Sequence, residues 1–282
     1  MIKSKEGISF LTFSIFQGLP LKAAVSCRIG GVSMSPFTSL NMGLHVGDHV
    51  EDVLENRKRY FRALGIDESR LINCSQVHGT HIEKVSGKDC GRGALSLDTA
   101  IPDTDGLITG DSNVPLTMNY ADCTPLFFYD PVKKAAALSH GGWRGTAGNI
   151  VGKTVDFMVS EFGCSRNTIL GAIGPAIGFP NFEVGQEVID AMRPLTEENE
   201  LSRLYRKKKN GKYLFALAEM NHFLMRKAGL LEEHIEDCHM DTWDRNDLFY
   251  SYRREKGTNL RVCPDPPHRI GIYCFPKKAI WL

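Results

Sequence analysis

The sequence has no long apolar run. None of its hydrophobic stretches approaches the roughly 20 residues a membrane-spanning helix needs, so no membrane partner is expected. It has no surplus of either charge: 34 Lys and Arg stand against 33 Asp and Glu. A protein that coats nucleic acid carries a clear basic excess, so nucleic acid is not an expected partner either. The one basic run, Arg206-Lys207-Lys208-Lys209, leads into Asn210-Gly211 and reads as a solvated loop or hairpin tip.

Also lacking are a C-x-x-C pair, an internal repeat and a Pro-, Gly- or Ser-rich linker. Eight cysteines scattered over 282 residues do not suit a disulfide framework, and most should be small buried apolar residues. The missing linker predicts one domain over 1–282. The N-terminus, MIKSKEGISFLTFSIF, starts with charge, alternates, and has no small-residue cleavage site. It reads as an early strand and not a signal peptide, and the expected location is cytoplasmic. A monomer or weak homo-oligomer is expected; no coiled-coil pattern in the sequence specifies an assembly.

What is present is an ordinary globular mix, 42% apolar and 24% charged, enough to bury a sizeable core. Short β-branched and apolar runs bounded by Gly, Pro, Asp or Asn predict strands at 22–29, 70–78, 105–110, 115–120, 125–130, 135–140, 168–174 and 269–275. Helical periodicity is rarer. It predicts a helix over 49–64, with Asp48 and Glu51 as a capping box, a stripe from Val50 to Leu64, and Gly65 as the stop. Further helices are expected at 146–162, 184–195 and 213–228. Strands in runs, without strict alternation with helices, favour an α+β fold with mixed sheets.

Several segments could carry chemistry. On the helix at 49–64, Arg57 falls beside the apolar stripe and so faces inward. It is either a structural ion pair, a snorkelling stem, or an anion-binding group at the floor of a pocket. Asn41, in the loop SLNMGLHVGD, suits an Asx-turn better than a ligand contact. In Q-V-H-G, Gln76 and His78 share a face by strand alternation. His81 and Glu83 make an H-x-E string, but no P-C-x-x-C follows, so it reads as chance.

Cys123, in N-Y-A-D-C-T-P, sits at a polar strand end, where a ligand or nucleophile is as reasonable as a structural thiol. The segment A-A-A-L-S-H-G-G-W-R-G-T-A-G delivers His140 on a small-residue strand, then a glycine turn with Trp143 and Arg144, then a helix. That arrangement suits an anion. The string A-G-N-I-V-G-K-T nearly fits a P-loop, but it falls inside a helical stripe and is rejected. Two histidines and a cysteine suit a metal with an open position. The spacing of His78, Cys123 and His140 carries no local signature of its own.

Taken in order, Q-V-H-G, D-G-L-I-T, A-D-C-T-P, H-G-G-W-R-G, I-G-P-A-I-G, E-V-G and F-Y-S-Y-R-R span nearly the whole chain. On these the chain resembles the bacterial purine nucleoside phosphorylases of the laccase-domain, or polyphenol-oxidase-like, family, also called peptidoglycan editing factor. The resemblance implies a four-layer α/β/β/α fold with mixed β-sheets. It also implies zinc, or less readily copper, on His78, Cys123 and His140. The implied substrates are purine nucleosides (adenosine, inosine, guanosine, methylthioadenosine) with phosphate, and adenosine deamination is an accompanying activity. Asn41, Arg57, Gln76 and Arg144 match positions that line the family's pocket.

The chain departs from the family at Gly141, at Ala216 where an aspartate is common, and over 256–269. Two competing readings remain. One is a metal-free cysteine hydrolase acting on a peptidoglycan precursor through a Cys123–His140 dyad. The other is a copper polyphenol oxidase, which nine histidines without an H-x-H string serve poorly.

Overall fold

The computed structural model describes residues 1–255 and 270–276. The chain opens with β1 (Ile2–Lys5), β2 (Ile8–Thr12) and β3 (Leu21–Ser26), then α1 (Val50–Leu64). Next come β4 (Ile72–Asn73), β5 (Ile82–Lys84), β6 (Gly106–Thr109), β7 (Leu116–Tyr120), β8 (Thr124–Asp130) and β9 (Ala135–Gly141). Helices α2 (Trp143–Ala147) and α3 (Ile150–Phe162) follow, then β10 (Leu170–Ile173), β11 (Glu183–Val184), α4 (Gln186–Met192) and α5 (Glu198–Leu201). The last described elements are β12 (Tyr205–Lys207), β13 (Tyr213–Phe215), α6 (Leu217–Lys227), β14 (Ile235–Asp237) and β15 (Ile270–Pro276).

Among the described residues two six-stranded sheets form, in the orders β1-β2-β3-β15-β7-β4 and β14-β10-β8-β9-β6-β5. Both are mixed. Their interiors are antiparallel, and parallel pairs occur at edges, β4 with β7, β5 with β6 and β10 with β14. A small antiparallel sheet, β11-β13-β12, holds the basic run at its hairpin, where Arg206 to Lys209 are exposed as expected.

Side-chain parity sets the layers. In β8, Phe127 and Tyr129 pack toward the first sheet, while Leu126 and Phe128 pack toward the helices. In β9, Ala136 and Leu138 take the inter-sheet side, and Ala135 and Ala137 the helical side. In β2 and β3, Leu11 and Val25 face the second sheet, while Ile8, Phe10 and Ala24 meet Tyr60 and Phe61 of α1. The order is therefore α1, sheet, sheet, then α3 and α6: an α+β fold of four layers. Strands buried on both faces read as unbroken apolar runs, which is why PLFFYD shows no alternation.

Some boundaries differ from those the sequence predicts. The 146–162 helix is broken by Asn149, whose φ of 56° is left-handed, and α3 starts afresh at Ile150. Residues 213–215 pair as β13, because Tyr213 and Leu214 are taken by β11 and β12. Of 70–78 only Ile72–Asn73 is a strand. The capping box on α1 does not form, since Asp48 instead accepts from Ser33 at 2.6 Å and Asn41 at 2.9 Å, leaving His49 as the N-cap. Val50 is correspondingly exposed. Gly65 does end the helix, at φ 68°. The divergent stretch 256–269 lies outside the described residues.

Helix α3 buries Ile150, Val151, Val155 and Met158 beneath β9, each worth about 1.5–3 kcal/mol. Its start rests on Asn149, which adopts the left-handed conformation and accepts the Gly152 N–H at 3.1 Å. An Asn149→Ala variant is expected to lose about 1–2 kcal/mol, from cap and backbone together. Asn149→Gly is expected to lose less than half of that. Denaturant midpoints measure both, and equal losses would remove the backbone part of this account.

Candidate metal centre

Parity along β9 sends His140 to the same side as Leu138, into the layer between the sheets. Tyr120 of β7 flanks it there, ring to ring at 5.3 Å. Cys123 sits in the tight β7–β8 connection, whose preceding residue Asp122 is left-handed at φ 81°. His78 lies in a turn and not on a strand end, itself left-handed at φ 59°. Such backbone costs a non-glycine residue on the order of 1 kcal/mol. The three side chains nonetheless converge, and their ligand atoms all lie within 4.8 Å of one another. The two imidazoles meet edge to face at 4.7 Å, and Cys123 Sγ is 3.9 Å from His78 Nε2.

One carboxylate organises this arrangement. Asp105, fully buried just ahead of β6, accepts the backbone N–H groups of Val77 (3.0 Å), His78 (3.1 Å) and Gly79 (2.7 Å). It thereby holds the strained turn. Its Oδ1 also meets His140 Nδ1 at 2.7 Å, which turns Nε2 toward the cluster, the nitrogen a metal there would take. Burial pushes the Asp105 carboxyl up, but the His140 hydrogen bond and charge, with the Gly79 and Val77 N–H groups, outweigh it and hold it at about 2. It is a carboxylate at neutral pH.

The donor set fits a metal. Two imidazoles and a thiol suit zinc or copper, and a second-sphere carboxylate fixes one imidazole, as metal sites require. Gly142 supplies a further indication. A Cβ there would stand 3.1 Å from His78, 3.2 Å from the Cys123 sulfur and 3.3 Å from His140. The glycine keeps open the ground the three side chains share.

A cavity of about 170 Å³ opens beside the cluster. Its walls include Trp143, Ile177, Phe182, Leu217 and Tyr252, with Arg144 and Arg253. Arg144 is exposed and lies over the Trp143 ring at 4.4 Å. The other residues singled out from the sequence do not line the cavity. Arg57 faces inward as expected, but its guanidinium donates to the carbonyls of Met42, Gly93 and Ala94. Asn41 makes the Asx-turn, accepting from Gly43 N–H at 3.0 Å. Gln76 exchanges hydrogen bonds with the Asn119 backbone. His81 and Glu83 are an exposed pair outside the cavity, as a chance string would be.

Sequence reasoning missed Asp105, Phe182, Tyr252 and Arg253. Each stands in or beside a recognised string, D-G-L-I-T, E-V-G or F-Y-S-Y-R-R. An acid just ahead of a strand that pairs with the His140 strand was the one available signal for Asp105.

A family model described as multi-copper polyphenol oxidoreductase laccase matches residues 22–263. Among curated relatives, purine nucleoside phosphorylase YlmD of Geobacillus stearothermophilus is 40% identical over 241 residues, covering 85% of this chain and 87% of that one. Purine nucleoside phosphorylase YfiH of Escherichia coli is 34% identical over 236 residues, 84% and 89% of the two chains. The crystal structure of YlmD from Geobacillus stearothermophilus superposes with a TM-score of 0.90 at 36% identity, covering 98% of each chain. That of a Bacillus licheniformis hypothetical protein YfiH gives 0.89 at 33% identity, covering 98% of this chain and 99% of that one.

Two substitutions test the organisation of the centre. Asp105→Asn turns an N–H donor toward the backbone N–H groups of the 77–79 turn and weakens the hold on His140. Metal affinity, read by chelator competition, is expected to fall about 10–100-fold with circular dichroism unchanged. Gly142→Ala is expected to lower affinity by crowding the ligands. Affinities equal to wild type in both would show that neither residue shapes the site.

Proposed function

The chain belongs to the family described as multi-copper polyphenol oxidoreductase laccase, and from that membership we propose that it is a purine nucleoside phosphorylase with one zinc ion on His78, Cys123 and His140. The curated relatives are named for that phosphorylase activity. The observation that carries the reading is the cavity at the cluster. It joins aromatic and aliphatic walls, two arginines and two of the three clustered side chains, His78 and Cys123, in one space, with His140 buried behind them.

The substrates are adenosine, inosine, guanosine or methylthioadenosine together with phosphate. In phosphorolysis a phosphate oxygen bonds to the ribose anomeric carbon as the bond from that carbon to the purine nitrogen breaks. The purine departs with the bonding pair. Trp143 and Phe182 offer faces on which a purine can stack and from which water is excluded. Arg144, set over the Trp143 ring at 4.4 Å, is steadied there before the anion arrives, so less order is lost on binding. Zinc bound at the three ligands would supply a Lewis acid with no redox role, which also suits hydrolytic deamination of adenosine as an accompanying activity.

The competing readings are less well supported. A multi-copper centre needs several clusters, and among the described residues one group of three forms. A thiolate nucleophile needs one imidazole, whereas here two converge on Cys123, and the sulfur's 3.9 Å contact is with His78 Nε2.

Purified protein of known metal content, given inosine and phosphate, is expected to release hypoxanthine and ribose 1-phosphate in equal amounts. Failure to form either product contradicts the reading. Arg144→Ala is expected to lower kcat/KM about 10–100-fold, the size of a charge-assisted hydrogen bond. Full activity in that variant would remove Arg144 from the anion site.

A further inference from the structure

The cavity holds a second arginine, brought by a separate segment. Asp122, the residue before the ligand Cys123, is buried, and its two carboxylate oxygens are divided. One accepts the Thr242 hydroxyl at 2.6 Å, the other the Arg253 backbone N–H at 2.7 Å. The arm 242–253 is therefore fastened at both ends to the Cys123 turn. Arg254 adds to the clasp by donating to the Thr242 and Trp243 carbonyls. Beyond this anchor the Arg253 guanidinium donates to the Glu183 carbonyl at 2.7 Å and lies 5.4 Å from the Phe182 ring centre.

Neither Arg253 nor Arg144 forms an ion pair with a carboxylate among the described residues. Each is set against an aromatic ring of the same cavity. A guanidinium has five N–H donors. One carbonyl bond leaves Arg253 donors in the fork geometry that suits an oxyanion.

We propose that Arg253 is a second oxyanion-binding residue, forming with Arg144 a two-arginine clamp for inorganic phosphate, and that Asp122 is the positioning residue that sets it over the cavity. The proposal rests on the phosphorylase reading for the role of the phosphate. Binding can be measured without turnover, so the two can fail separately.

The test uses the metal-loaded protein and two readouts. In steady-state phosphorolysis of inosine, Arg253→Ala is expected to raise the KM for phosphate about tenfold or more, with a smaller change in the KM for inosine. Arg253→Lys should restore part of the loss. Asp122→Asn should raise the phosphate KM while metal content stays at wild-type level, a split that general unfolding would not give. Arg206→Ala, which removes an exposed cation of the β12–β13 hairpin, is the control and should leave the phosphate KM unchanged. Calorimetric titration with inorganic phosphate alone should show the same order of affinities, even in a protein that turns over no nucleoside. Phosphate affinity and phosphate KM within twofold of wild type in Arg253→Ala would overturn the proposal. Should Asp122→Asn fail to fold, the Arg253 variants still decide it.

Discussion

The hydrogen bond from His140 to the Asp105 carboxylate, buried just ahead of β6, is the contact around which the rest of the site is arranged. The same carboxylate takes three successive N–H groups of the 77–79 turn, so one side chain fixes both histidines. Neither segment could hold its place alone. The turn carries His78 in a left-handed conformation that costs energy. Strand β9 can deliver His140 to the inter-sheet layer, yet nothing in the strand itself chooses which ring nitrogen faces the cluster. A buried anion with four donors settles both matters, and those donors are what allow it to remain charged in a dry layer.

The neighbouring turn uses the same device. Asp122 is buried beside Cys123 and shares its oxygens between Thr242 and the Arg253 backbone. Burial pushes its carboxyl upward, opposed by the bonds from Thr242, Arg253 and Ser251. Two carboxylates thus connect the His78–Cys123–His140 cluster to the remainder of the cavity, one to the histidine turn and one to the arm bearing Tyr252 and Arg253. Around them the four layers supply rigidity. Small alanines in β9 let α3 lie close on one face while the opposite face closes the inter-sheet core.

The alternating fate of β8 and β9 side chains was not legible in the sequence, because both faces are buried and both sets are apolar. The strands themselves were legible, from β-branched and aromatic runs between turn residues. Helix α1 was placed within a residue, but its cap was not, since Asp48 is drawn to Ser33 and Asn41 by contacts that bring distant segments together. The break at Asn149 was missed because the apolar stripe continues across it. At the site, His78, Cys123 and His140 are legible as residue types, though the strand end expected for His78 is a turn, and the family's motifs join them. Arg57 was read correctly as inward-facing, but its partners are backbone carbonyls of two loops, which no local pattern reveals. Asp105 and Arg253 act through contacts with residues far along the chain, and sequence spacing carries no sign of those.

X-ray absorption at the zinc edge of the purified protein reads the shell around the His78–Cys123–His140 cluster itself. The account predicts one zinc per chain with one sulfur at about 2.3 Å and two imidazole nitrogens at about 2.0–2.1 Å, completed by a further light atom. A protein isolated without stoichiometric zinc, or with a zinc shell that contains no sulfur, would contradict it.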